Sequence, residues 1–156
     1  MVIKYLKAAW RQLRQATVYD EYADVTAFNE KFGLPVGDLT NPRLLDPGEL
    51  DGRIQFINEE LRELQRAALA RDLPGVADAL VDLVYVVKGT AVMMGLPWDD
   101  LWLDVQRANL AKVPLQPVAG YKRDIGKPPG WVGPRTEQIL LAARTYRDGG
   151  WYHDHD

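Results

Sequence analysis

From Val76 to Met94 the chain is apolar almost without break, and charge enters that stretch only at Asp78, Asp82 and Lys88. Leu73-Pro74 opens it in the way proline opens a helix, and Gly95-Leu96-Pro97 closes it, so the segment reads as one helix. Its apolar residues leave little room for a solvated face, and such a helix belongs in an interior. Carboxylates taken out of water without partners cost several kcal/mol, so Asp78 and Asp82 call for cations. Lys88, the only basic residue in the helix, sits about 100° or more around it from the carboxylate row. The row itself continues through Tyr85 and Gly89, while Val76, Leu80, Leu83, Val87 and Met94 fill the adjoining face.

The segments around it are helical too. Leu6, Trp10, Leu13 and Thr17 share one face of a first stretch, and Tyr22, Val25, Phe28 and Phe32 continue the spacing after a break near Tyr19-Asp20, until Gly33-Leu34-Pro35 stops it. A loop over 36–49 follows. A helix from about Pro47 to Arg71 carries Ile54, Ile57, Leu61, Leu64 and Ala68 as a core-facing stripe, and another runs from Trp98 to about Lys112 behind an acidic first turn. Residues 113–134, rich in proline and glycine, read as a long irregular loop before a last helix over 135–147. No stretch alternates convincingly as a strand, and the expected fold is an all-α helical bundle.

With 156 residues, 47% of them hydrophobic, the chain is sized for one core. A net charge of −3 gives no pull toward polymeric nucleic acid or an anionic membrane, and neither is an expected partner. No run resembles a signal peptide or an uncharged membrane span, so a cytoplasmic location is expected. The absence of cysteine removes thiolate catalysis and cysteine-held metals. Both histidines, His153 and His155, fall in the polar tail, so no histidine triad is available to the fold. Gly120-Tyr121-Lys122-Arg123-Asp124-Ile125-Gly126-Lys127 only superficially resembles a phosphate-binding loop: it follows no strand, and proline stands where serine or threonine is needed.

A second set of carboxylates, in Asn58-Glu59-Glu60-Leu61-Arg62-Glu63, lies one helix earlier, with Glu60 and Glu63 a turn apart beside the apolar stripe. Alone, such a pattern is common on solvated helices. Joined by a short turn to Asp78 and Asp82, it forms two carboxylate rows on neighbouring antiparallel helices. All-oxygen donors of this kind suit Mg²⁺ or Mn²⁺ and, through them, a polyphosphate.

Glu59-Glu60-x-x-Glu63, a spacer, and a carboxylate pair ending in Asp82 resemble the motif of the MazG-type all-α nucleoside triphosphate pyrophosphohydrolases, a superfamily with dimeric dUTPase-like and phosphoribosyl-ATP pyrophosphohydrolase-like members. The resemblance extends to Asp82-Leu83-Val84-Tyr85-Val86-Val87 and Arg107-Ala108-Asn109-Leu110-Ala111-Lys112. It is similar to the short phage and bacterial forms in Phe28-Asn29-Glu30-Lys31-Phe32-Gly33-Leu34-Pro35 and Gly126-Lys127-Pro128-Pro129-Gly130-Trp131. It departs at position 79, where the usual pattern has glutamate and this chain has Ala79; Asp78 and Asp82, about 40° apart on a helix, form the replacement pair.

The resemblance implies water attack on the α-phosphorus of a (deoxy)nucleoside triphosphate, giving the monophosphate and pyrophosphate and shaping the dNTP pool. It implies Mg²⁺, replaceable by Mn²⁺, held by Glu60, Glu63 and Asp82 with Asp78, and Glu59 as base or further ligand. Lys112 and Lys127 are its phosphate cations, with Lys122 and Arg123 as weaker candidates, and Asn29, Phe32, Tyr85, Asn109 and Trp131, together with Phe28, its substrate contacts. It further implies a homo-oligomer, dimer or tetramer, completing the bundle. On this reading residues 1–23 are a helical extension, 24–147 the pyrophosphohydrolase domain and 148–156 a polar tail. Two alternatives stand beside it: a non-catalytic helical module binding a nucleotide or protein, and hydrolysis of phosphoribosyl-ATP by the same chemistry.

Overall fold

A computed structural model describes residues 20–115 and 124–145. Its helices are α1 (Glu21–Phe32), α2 (Pro47–Ala70), α3 (Leu73–Met93), α4 (Trp98–Leu110) and α5 (Thr136–Thr145), with a two-stranded antiparallel ribbon, β1 (Val113–Leu115) and β2 (Asp124–Gly126), between α4 and α5. The fold is an all-α bundle, and its helices begin and end where the proline and glycine signals place them. The expected helix over residues 1–19, Lys122, Arg123 and the tail with His153 and His155 lie outside the described residues.

Asp20 caps α1, its side chain accepting from the backbone N–H groups of Tyr22 and Ala23 at 3.0 Å, so the helix starts at Glu21. Gly33 ends α1 in the left-handed region, at φ +66°. A tight turn at Arg71-Asp72, with Arg71 at φ 56°, joins α2 to α3 as a helical hairpin, the most extensive packing in the fold. Arg53 of α2 ties the pair together: its Nη2 donates to the Val86 carbonyl at 2.8 Å and its Nε to Thr90 Oγ1 at 3.1 Å. Gly89 makes room for this guanidinium, since a Cβ there would lie 3.0 Å from Arg53 Nη2.

The loop after α1 presses directly on the end of α3. Gly37 N–H donates to Val92 and Arg43 N–H to Met94, and a Cβ on Gly95 would sit 2.4 Å from the Asp38 carbonyl oxygen. Gly95 also has φ +64°. Gly95→Ala is therefore expected to cost about 1–2 kcal/mol from the left-handed backbone alone and more from the contact, read as a lower urea midpoint.

At the other end Asp104 of α4, 5% exposed, clamps the C-terminal segment. It accepts from Arg107 Nε at 2.8 Å, from Arg135 Nη2 at 2.8 Å and from the Arg135 backbone N–H at the start of α5. Arg107 in turn donates to the Gly133 carbonyl at 2.9 Å. These donors, Arg107 first, hold the Asp104 carboxyl well below the usual carboxylate range. Ionised Asp104 thus stabilises the fold in full above the ordinary aspartate range near about pH 4, and the contribution is lost as pH falls from there toward its lowered pKa. Asp104→Asn is expected to lower the melting temperature at neutral pH and flatten its fall between pH 5 and 3; an unchanged acid slope would contradict this.

Three findings differ from the sequence reading. The irregular loop contains a ribbon pairing Val113 with Gly126 and Leu115 with Asp124, three residues on each side, too short to show alternation. In the stripe on α2, Ile57 and Leu64 are half-buried, but Ile54, Leu61 and Ala68 are exposed. Likewise α3 is not enclosed: Val81 is 65% exposed, Leu80 and Val84 are exposed, and so are Asp78 and Asp82. The described residues leave one side of this hairpin open. The buried apolar residues among those described, Val25, Ala79, Ala91, Val92 and Ala108, are mostly small.

Candidate active site on the hairpin of α2 and α3

The hairpin register brings the two carboxylate rows to the same level. Arg53 bonds to Val86 and Thr90, and because the helices run in opposite directions, Glu60, two turns further along α2, falls opposite the α3 turn that carries Ala79 and Asp82. The electrostatics agree. Partial burial first, then the like charges of Asp82, Glu63, Glu59 and Asp78, push the Glu60 carboxyl above its ordinary value. Glu60 is half-buried, whereas Glu59, Glu63, Asp78 and Asp82 are exposed. Among the described residues, the one ion pair on this cluster's side chains joins Glu63 to Arg66 at 3.2 Å, an exposed i,i+3 pair of small worth. Ala79, where the common pattern has glutamate, is buried against the hairpin, and the aspartates on either side of it face outward.

Among the described residues no three of these side chains converge closely enough to hold a metal ion as they stand. The donors nevertheless suit one: they are hard oxygens on two rigid helices, crowded enough to repel one another, and exposed side chains of this length turn readily about their own bonds.

An aromatic shelf adjoins them. Phe28 meets Phe32 with ring centroids 4.7 Å apart and Tyr85 edge-on at 5.5 Å. Val25 lies under Gly89 and Phe28 against Tyr85, so α1 runs against α3 in the opposite sense, and its last turn, with the exposed Phe32, heads toward Asp82. Lys31 sits 5.2 Å over the Phe32 ring. Asn29 is buried, and its side-chain N–H donates to the Pro35 carbonyl at 2.9 Å, which fixes the turn after α1.

The remaining candidates gather at the C-terminal end of α4 rather than on the hairpin. Trp131 donates its indole N–H to the Ala108 carbonyl at 2.8 Å, and Lys127 stands 4.6 Å over its ring. Asn109 is exposed and Lys112 half-buried, the Lys112 N–H donating to the Asn109 carbonyl. Sequence reasoning missed two positioning residues, Arg53 and Asp104. The i,i+3 spacing of Asp104 and Arg107 was the available signal for the second.

Among curated proteins the chain is similar to an uncharacterized protein of Acanthamoeba polyphaga mimivirus, 32% identical over 80 residues, which cover 50% of this chain and 32% of that protein. The chain thus spans about a third of the length of the curated relative it matches. The family model described as phosphoribosyl-ATP pyrophosphohydrolase matches residues 25–109, from the middle of α1 to the end of α4, and so takes in both carboxylate rows and the aromatic shelf. The chain belongs to the phosphoribosyl-ATP pyrophosphohydrolase family, a relative of the MazG-like nucleoside triphosphate pyrophosphohydrolases that its carboxylate rows resemble.

Proposed function

We propose that this chain hydrolyses (deoxy)nucleoside triphosphates between the α- and β-phosphorus, releasing the monophosphate and pyrophosphate, with Mg²⁺ or Mn²⁺ as cofactor. The observation that carries the reading is the half-buried Glu60, set among Glu59 and Glu63 of its own helix and Asp78 and Asp82 of the facing one, its carboxyl raised by burial first and then by these like charges. Glu60, Glu63 and Asp82 would hold the ion, with Asp78 beside Asp82 as a further ligand. A divalent ion held there would offset charge on the phosphate oxygens and on the leaving pyrophosphate.

The chain's own residues do the rest. Glu59, exposed at the edge of the cluster, takes a proton from the attacking water as its oxygen bonds to the α-phosphorus and the bridging oxygen leaves with pyrophosphate. Phe32 and Tyr85 offer a face for the base, and Asn29 fixes the loop beside them. Lys112 and Lys127 are the cations this reading assigns to the phosphate chain, with Asn109 and Trp131 as their neighbours.

The family's description favours a second substrate, phosphoribosyl-ATP, whose hydrolysis breaks the same kind of bond. A panel of ribo- and deoxynucleoside triphosphates and phosphoribosyl-ATP, each with Mg²⁺, Mn²⁺ or chelator, tests both. Metal-dependent pyrophosphate release from one or a few substrates is expected; silence across the panel would leave a non-catalytic binding module. The exposed Ile54 and Leu61, a heptad apart on α2, fit burial against a second copy. A dimer or tetramer by light scattering is expected, and a monomer at working concentration would refute it.

A further inference from the structure

A groove of about 830 Å³, away from the carboxylate rows, runs between α3 and α4. Leu83, Val84 and Val87 form one apolar wall and Trp98 and Trp102 the other, with Val84 and Trp102 substantially exposed. Among the described residues, Asp20, Glu21 and Asp99 rim it against the single cation Lys88, whose charge is taken up by Glu21 at 2.6 Å. The groove therefore offers an apolar floor and a net acidic edge, and it has to be matched by something apolar on one side and basic on the other.

The chain carries such a segment. Residues 1–19 contain Lys4, Lys7, Arg11 and Arg14 and no acidic residue. Placed on a helix, those four cations form one stripe, and Leu6, Trp10, Leu13 and Thr17 form another, about 110° around from it. The segment also ends in the right place, because Asp20, the next residue, is part of the groove's rim. Asp20 has an extended backbone (φ −111°, ψ 93°) and caps α1, so α1 starts at the rim. Tethering at the rim keeps the local concentration of the segment high without any linker to order.

We propose that residues 1–19 lie in this groove as an amphipathic helix, with Leu6, Trp10 and Leu13 against Leu83, Val84 and Trp102, and the cationic stripe along Asp20, Glu21 and Asp99. The apolar contact supplies the affinity, and the exposed charge pairs, individually weak, set the register. The occupant is the chain's own segment rather than a second copy, whose docking the exposed α2 stripe serves. The site is independent of the hydrolytic reading, because none of its residues belongs to the carboxylate cluster.

Hydrogen exchange on the full chain tests it. The amides of residues 6–17 are expected to exchange at least about tenfold more slowly than a coil. Val84→Asp, at a position 48% exposed, is expected to return them to coil rates while α2 and α3 stay protected. Coil rates in the unsubstituted chain, or protection that survives Val84→Asp, would overturn the proposal. The chain has no cysteine, so Leu13→Cys combined with Val84→Cys and a short bismaleimide gives an unambiguous link. In a mixture of ¹⁴N- and ¹⁵N-labelled protein the link is expected within one chain; links only between chains would assign the groove to a second copy instead.

Discussion

Glu60→Gln is expected to reduce pyrophosphate release at least about a hundredfold while leaving the metal-free protein as stable as the original or more so. The two halves of this result come from one feature. Glu60 is half-buried and faces the like charges of Asp82, Glu63, Glu59 and Asp78, which together with burial hold its carboxyl above the ordinary range. A side chain in that position is a burden on the folded state unless a cation joins it. Glutamine keeps the volume and the hydrogen-bonding oxygen and removes the charge, so it relieves the repulsion and removes the ligand together. A purely packing role predicts the opposite, lower stability without a specific loss of turnover. The pair of measurements is pyrophosphate release on the substrate identified by the panel and urea unfolding in chelator. Retained turnover would take Glu60 out of the site, and lost stability would make it a structural residue.

Much of this candidate site is legible in the sequence because carboxylates stand out among apolar neighbours. Asp78 and Asp82 are conspicuous inside an apolar helix, and Glu60 and Glu63 beside an apolar stripe, so spacing alone puts them on two facing rows. Helix limits are equally legible, since Pro47, Pro74, Gly33 and Gly95-Leu96-Pro97 punctuate the chain within a residue or two of the observed ends. What the sequence does not reveal depends on residues far apart in the chain. Asp104 is an ordinary acid on α4 until Arg135, beyond the ribbon, folds back onto it. Gly37 and Gly95 look like loop glycines, and only the fold shows that a Cβ on Gly37 would lie 2.2 Å from the Gly95 nitrogen. The burial expected for α3 fails for a related reason: hydrophobicity says that a face wants cover but not which chain or segment covers it. Asn29 and Trp131 show the same limit on the functional side, because side chains suited to reading a base also hold the Pro35 and Ala108 carbonyls.

Divalent metal is expected to reverse the order of stability between the original chain and Glu60→Gln. In chelator the variant equals or exceeds the original, for the electrostatic reason above. With Mg²⁺ or Mn²⁺ at a hundred times its dissociation constant, binding to the folded state alone stabilises the original by about 2.7 kcal/mol. In a chain of this size each kcal/mol is worth about 2–4 °C, so its melting temperature should rise by about 5–10 °C. Glu60→Gln, missing a ligand, binds more weakly and gains less, so the two melting curves cross as metal is added. Asp82→Asn should behave in the same way, because Asp82 leads the neighbouring charges acting on Glu60. Sodium chloride at matched ionic strength separates binding from screening: screening relieves the repulsion in the original chain and brings it level with the variant, but it does not carry it past. Only an ion that bridges the carboxylates does that. If the original and the variant rise together in metal, the carboxylate rows are a solvated acidic face, and the ion acts elsewhere or not at all.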